Sequence, residues 1–385
     1  MINKSFLWQI PTKIYFGVGE AKKINNRIKE LGSKNVLIVT DIAIRNTGKI
    51  DEIEEQIKNR VDINIDIFDE VKPNPTAKIV EEGVKKAKNM EADLILAIGG
   101  GSSIDTGKAI ALLMNNEEEI EYFWKNPPKN KSIPLIAVPT TAGTASEVTW
   151  VTVIKDTDKK VKMGIGSPKI APTIAICDPL LTISMPKSVT VSTGLDALTH
   201  AIESYTNTIT EPISESIALH AIYLIGKYLR AAYSKGDNIE ARYNMLLASL
   251  MAGIAFANTK LGVVHAITSP MGGYFDVPHG VINAILLPYV MEYNLIGNID
   301  KFAKVATALG ENVDGLNKYQ IARASVKAVK DLSKDVDLPK GLAEVGVKKE
   351  FLEEICEEAM KNVGIPINPR QPELEDLISI CKAAM

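Results

Sequence analysis

Short runs of branched apolar residues punctuate the first half of the chain: Asn35-Val-Leu-Ile-Val-Thr40, Ile63-Asn-Ile-Asp-Ile-Phe68, Asp93-Leu-Ile-Leu-Ala-Ile98 and Ile133-Pro-Leu-Ile-Ala-Val138. Runs of this length and β-branched content predict strands. Between them lie Lys- and Glu-rich amphipathic stretches at 19–31, 47–60 and 76–90, which predict helices. Strand–helix alternation implies a largely parallel sheet covered by helices. Near Asp178-Pro179 the texture changes, and long helical patterns follow at 188–205, 213–233, 238–257, 281–294 and 318–332. The pattern predicts an α/β domain over 1–180 and an all-helical domain over 181–385. A length of 385 residues, more than one ordinary core, agrees with two domains.

Hydrophobic residues make up 46% and charged residues 24%, the balance of a globular protein, and the net charge is −3. No basic field is available to hold a phosphate backbone, which excludes nucleic acid as a partner class. No window reaches about 18 uninterrupted apolar residues, so no membrane span is expected. The N-terminal apolar stretch is cut by Gln9 and Pro11 and lacks the features of a signal peptide. Cys177, Cys356 and Cys381 are odd in number and far apart in sequence, a pattern of buried thiols in a reducing compartment rather than a disulfide framework. A cytoplasmic protein is the expectation.

The strand at 93–98 runs straight into Gly99-Gly-Gly-Ser-Ser-Ile-Asp105 and then a helical pattern. Glycines at a strand-to-helix turn let a phosphate approach the backbone, where free N–H groups and the helix dipole receive it. The run lacks the spacing of the dinucleotide fingerprint, so a plain tight connection is the competing reading. Asp105 is either a first-turn carboxylate favoured by the dipole or a group facing the ligand. Asp41, at the tip of an early strand, is either a ribose acceptor or an N-cap. The run Pro139-Thr-Thr-Ala-Gly-Thr-Ala-Ser-Glu-Val148 offers small hydroxyls beside a glycine, suited to phosphate, ribose or carboxamide contacts.

The chain has four histidines: His200, His220, His265 and His279. Asp196 and His200 stand at i and i+4 in a strongly helical stretch, so both can reach one ion from one helix face, although each histidine taken alone also reads as a core or helix-end residue. Pro270, Gly272 and Gly273 are expected to break the chain between His265 and His279, letting the second return towards the first. A carboxylate and imidazoles without thiolate suit Fe2+ or Zn2+ at a catalytic site. His220 lies among Ile217, Leu219, Ile222 and Leu224 and reads as a structural helix residue.

These motifs, with Ile14-Tyr-Phe-Gly17, Val71-Lys-Pro-Asn-Pro-Thr76, Thr193-Gly-Leu-Asp-Ala-Leu-Thr-His-Ala-Ile-Glu203 and Pro278-His-Gly280, resemble the iron-containing (group III) alcohol dehydrogenases over essentially the whole chain. The resemblance implies an N-terminal Rossmann-like α/β domain, an all-α C-terminal domain and the dehydroquinate synthase-like architecture, with the active site in the cleft between the domains. It implies a metal held by Asp196, His200, His265 and His279. It places Asp41, Asn74, Gly100, Gly101, Ser102, Thr140, Thr141, Thr144 and Lys162 around the dinucleotide, with Asp105 a further candidate from the glycine loop, and it turns the reading of Asp41 towards NAD over NADP. Trp150, Val151, Phe256 and Ser269 would lie near a small alcohol or aldehyde substrate. A homodimer is the family's expectation. Relatives often carry another histidine four residues after the third ligand; here that position is Ser269, which can pass a proton within a hydrogen-bond chain but cannot titrate near pH 7, so the departure leaves the proton route and the substrate open. The competing readings are a glycerol-dehydrogenase-like zinc enzyme and a non-redox NAD-dependent lyase of the same architecture. The apolar flanks Trp150, Val151, Phe256 and Val264 argue against the lyase.

Overall fold

The computed structural model describes residues 5–58, 63–157 and 161–385, so the end of the helical pattern at 59–60 lies outside the described residues. Two compact units are present. One comprises Ile10–Thr141 and Ala145–Ser184. The other comprises Met185–Met385, Ala142–Thr144 and the described residues up to Gln9. The helical unit thus begins at Met185, beyond the expected change near residue 180, and takes in two earlier segments.

The first unit is built on a six-stranded sheet of β1 (Lys13–Phe16), β2 (Asn35–Asp41), β3 (Asn64–Val71), β4 (Leu94–Gly99), β5 (Leu135–Pro139) and β8 (Ile174–Cys177). Its order is β1-β8-β5-β4-β2-β3, and every neighbouring pair is parallel. The four apolar runs became β2 to β5. β6 (Val151–Asp156) and β7 (Val161–Gly166) pair antiparallel as a separate ribbon.

Alternation along the strands explains the layering. Leu37, Val39, Ile95 and Ala97 join one apolar core with Val80, Val84 and Ala87 of the helix Ala77–Asn89 and with Ile110 of the helix Gly101–Leu113. Val36, Ile38, Leu94 and Leu96 point the other way, onto Ile24 and Ile28 of Ile24–Leu31 and Ile50, Ile53 and Ile57 of Lys49–Lys58. A sheet covered on both faces has no polar side, which is why its inner strands β2, β4 and β5 read as continuous apolar runs. The chain goes from β2 outward to β3, then returns to β4 on the other side of β2. That reversal opens a crevice at the carboxyl ends of β2 and β4, the place where doubly wound sheets bind ligands.

The second unit contains nine α-helices, and no strand among its described residues. Pro212 starts Pro212–Ser234 with Glu211 accepting from Ile213 and Ser214 N–H, and Asn238 caps Ile239–Thr259. The helix Lys187–Thr206 is central: every residue from Gly194 to Thr206 is buried. Pro270 does not break the chain as expected. It sits inside the helix Val263–Tyr274, and the break comes at Phe275–Pro278. Cys356 and Cys381, far apart in sequence, meet between Leu352–Ala359 and Leu374–Ala383 as buried thiols with Sγ atoms 3.7 Å apart. No single helix among the described residues is long and apolar enough to cross a membrane; Ile239–Thr259 and Val263–Tyr274 reach that apolar length only as a pair bent by 98°.

Candidate active site

A buried helix that carries polar side chains must find them partners. On Lys187–Thr206, Asp196, His200 and Glu203 recur at i, i+4 and i+7, so they share one face, and all three are buried. His265 comes to them from the first turn of Val263–Tyr274, and His279 and Asn283 come from the start of His279–Asn294. One ligand atom from each of Asp196, His265 and His279 lies within 4.8 Å of the others. His200 stands outside that trio, but its Nε2 is 3.8 Å from Asp196 Oδ1. Its ring stacks on His265 with centroids 4.8 Å apart, and the His265 and His279 rings are 5.3 Å apart. The four residues expected to bind a metal form one cluster, with His200 at its rim.

Neighbouring groups set the ring protons. His200 Nδ1 lies 3.2 Å from the Gly143 carbonyl, which can only accept, so Nδ1 carries the hydrogen and Nε2 keeps its lone pair. His265 Nδ1 lies 2.6 Å from Glu203 Oε2. Asn283 donates to Asp196 Oδ1 at 2.7 Å, and the same nitrogen is 3.0 Å from His265 Nε2. Burial pushes the His200 imidazolium down to about 4, with His265 adding to the shift against the pull of Asp196 and Glu203, so the ring is neutral at pH 7. At Asp196 burial acts upward, but the fields of His200, His279 and His265 and the Asn283 hydrogen bond outweigh it and hold the carboxyl below its usual range. A carboxylate with imidazoles and no thiolate fits a divalent iron or zinc ion. Glu203 and Asn283 had escaped the reading of the sequence. Their signal was available: each stands at helical spacing, i+3 from His200 and i+4 from His279, as a polar residue in an apolar run.

The candidates for a dinucleotide gather at the carboxyl ends of the parallel strands. Asp41 ends β2, Asn74 follows β3 with a left-handed φ of 54°, Gly100 to Ser102 follow β4, and Thr140 and Thr141 follow β5. Asp41 fulfils its capping role: Oδ1 accepts from Ile44 N–H, while Oδ2 accepts from Ser103 Oγ at 3.1 Å. Gly100 is the N-cap of Gly101–Leu113 and supplies no side-chain cap, so that helix start is left for another acceptor. Thr140 Oγ1 is buried without a hydrogen-bond partner. An uncapped helix start and an orphaned hydroxyl at a strand-order reversal fit a phosphate-bearing coenzyme. Lys162 is on β7 opposite Lys155, whose own N–H bonds the Pro75 carbonyl, next to Asn74. Thr144 also differs, since Ala142–Thr144 group with the helical unit.

Asp105 is not a first-turn residue; it is fifth in Gly101–Leu113, and both of its carboxylate oxygens are used internally. Oδ1 accepts from Ser146, and Oδ2 accepts from Val153 N–H at 2.9 Å. Lys108, fully buried one turn on, donates to Ser146 Oγ, Thr149 Oγ1 and the Val151 carbonyl at 2.7, 3.1 and 2.7 Å. This network ties the helix to β6 and to the hydroxyl-rich run. Trp150 precedes β6 and Val151 opens it, exposed. Phe256 packs on His200 with centroids 4.6 Å apart, and Ser269 lies one turn beyond His265, half-buried. His220 is on the surface beside Tyr223.

Comparison with known proteins bears on both halves. Residues 11–179 match the family model described as iron-containing alcohol dehydrogenase, and 190–385 match the C-terminal model of the Fe-containing alcohol dehydrogenase family. The NAD-dependent methanol dehydrogenase of Bacillus methanolicus is 40% identical over 98% of this chain and 99% of its own length. The 1,3-propanediol dehydrogenase of Klebsiella pneumoniae is 39% identical over the full length of both. A crystal structure of a 1,3-propanediol oxidoreductase superposes with a TM-score of 0.96 at 39% identity, over 99% of this chain and all of the other. Identity of that level spread over both units, in a chain that clusters a carboxylate with three histidines, leaves one assignment: the chain belongs to the iron-containing alcohol dehydrogenase family, a family of oxidoreductases.

Proposed function

We propose that the protein transfers hydride between NAD(H) and a small primary alcohol or aldehyde, short diols and hydroxyaldehydes included, with Fe2+ held by Asp196, His200, His265 and His279. The convergence of Asp196, His265 and His279 within 4.8 Å carries this reading. The names of the relatives, which act on methanol and 1,3-propanediol, support the substrate class. A divalent ion, when bound, polarises the substrate oxygen and stabilises negative charge on it.

The chain's own residues do the rest. Hydrogen bonds at Nδ1 of His200 and His265 orient their Nε2 lone pairs. Phe256 covers the His200 ring and keeps water from it. Gly100, Gly101 and Ser102 receive the pyrophosphate at an open helix start, and Asp41 accepts from ribose hydroxyls, which favours NAD because a 2′-phosphate would be repelled. Thr140, Thr141, Asn74 and Lys162 complete the coenzyme contacts in the α/β unit, and Ser269 joins Phe256 on the substrate side in the helical unit. Ser269 passes a proton along a hydrogen-bond chain without titrating.

Metal analysis of anaerobically purified protein, followed by NADH and NADPH oxidation with a panel of short aldehydes and hydroxyaldehydes, tests the proposal. Stoichiometric iron is expected, with NADH-linked reduction that chelation abolishes and Fe2+ restores. Full turnover in a metal-free preparation, or no turnover with any aldehyde, would refute it.

A further inference from the structure

We infer that Glu203 is a positioning residue for the metal centre: it fixes the proton of His265 on Nδ1 and so presents the Nε2 lone pair to the ion. This rests on the metal reading above. Glu203 lies one turn beyond His200 on the central helix, and its two oxygens divide their work. Oε1 accepts the N–H of Val264 at 2.6 Å, holding the start of the helix that carries His265. Oε2 meets Nδ1 of His265, also at 2.6 Å.

The tautomer follows from two neighbours on opposite edges of the ring. A carboxylate with one oxygen committed to a backbone N–H accepts with the other, so Nδ1 is the donor. At the far edge the Asn283 amide is oriented by Asp196, because only its NH2 side can face a carboxylate oxygen that it meets at 2.7 Å. The same NH2 lies 3.0 Å from Nε2, so Nε2 is the acceptor. Both ends give one answer. Side-chain exposures of 6% for Glu203 and 13% for His265 keep water from competing for the bond. A carboxylate on the remote nitrogen makes an imidazole a better donor, and loss of such partners typically weakens metal binding by about 10- to 100-fold.

Glu203→Gln separates this role from helix capping. Val264 and His265 are each met by a different carboxylate oxygen, and glutamine has one oxygen in place of the two. If it keeps the Val264 N–H, the amide NH2 faces Nδ1 and drives the proton to Nε2, where it blocks ligation. The measurement is the rate at which the holoenzyme loses Fe2+ or Zn2+ to a chelator, with circular dichroism as a check of fold and NAD binding as a check of the other unit. Metal loss faster by about 10- to 100-fold in a folded variant that binds NAD normally is the expected result. A folded variant that holds metal as tightly as the wild type overturns the inference. Wild-type protein that takes up neither ion refutes the metal reading and this inference with it. Should Glu203→Gln not fold, 15N-histidine spectra of chelated wild-type protein decide: His265 protonated on Nδ1 supports the assignment, and on Nε2 overturns it.

Discussion

Gly280→Ala should empty the metal centre without touching a ligand. Gly280 follows His279 at the start of His279–Asn294, where that helix meets Lys187–Thr206. A Cβ on Gly280 would stand 2.4 Å from the Ser192 carbonyl oxygen, 3.0 Å from its carbon and 3.1 Å from Asp196 Cβ. The nearest obstacle is helix backbone, which no rotamer change can clear. Moving from 2.4 Å to even 3.0 Å requires the helix start to retreat by about 0.6 Å. Metal–ligand distances tolerate only about 0.2 Å, so His279 would be carried out of range. Overpacking of this kind also costs about 1–3 kcal/mol of stability. Gly310→Ala is the control: its φ of +89° makes alanine strained, at about 1 kcal/mol, but open space surrounds it. Iron content by elemental analysis and stability by urea unfolding are measured on both. Gly280→Ala should lose iron and turnover, and Gly310→Ala should lose stability alone. A Gly280→Ala protein with full iron and wild-type turnover would refute the close-packing argument.

Two further outcomes follow from the α/β unit. Asp41→Ser removes the carboxylate yet keeps an N-cap for Ile42–Arg45, so the ratio of NADP to NAD use should rise with little loss of stability; an unchanged ratio would count against a ribose contact. Burial pushes Glu147 up to about 7 from an ordinary 4.5, against the pull of its own backbone hydrogen bond and of Lys108. A carboxyl raised on folding contributes stability that is complete below about 4.5 and lost as pH rises through 7. Wild-type stability relative to Glu147→Gln should therefore fall across that window, by up to about 3 kcal/mol, in urea unfolding; parallel profiles would show that Glu147 does not titrate there.

The strands β2, β4 and β5 were legible because a sheet covered on both faces writes continuous apolar runs, and the edge strand β3 was legible from its alternation of isoleucine with polar residues. β1 and β8 were not, at four residues each. The long helices were legible from punctuation rather than amphipathicity, since Lys187–Thr206 is buried almost all round along its second half. Pro270 misled because a proline that ends many helices is tolerated in one packed within a core. Asp105 was legible as a carboxylate near a glycine loop, but its partners were not: Ser146 and Val153, which bond its two oxygens, lie 41 and 48 residues away in sequence.

Gly143 shows how one residue's chemistry can be assigned to the wrong partner. In a hydroxyl-rich run its glycine suggests flexibility for a coenzyme. A Cβ there would instead lie 2.6 Å from Thr193 Cβ and 2.8 Å from the Thr193 backbone. The glycine is needed for close approach to Lys187–Thr206, and that approach brings its carbonyl to His200 Nδ1 at 3.2 Å. Any side chain would push the carbonyl away and free the His200 tautomer. The segment Ala142–Thr144 therefore groups with the helical unit for a chemical reason: it completes a histidine whose partner must be an acceptor. His265 obtains the same outcome from Glu203. Both rings surrender Nδ1–H to a fixed oxygen and keep the lone pair on Nε2, one using backbone and the other a carboxylate. Only the carboxylate can be changed to an isostere without moving the chain, which is why Glu203→Gln rather than a change at Gly143 is the substitution that tests the proposed ligation.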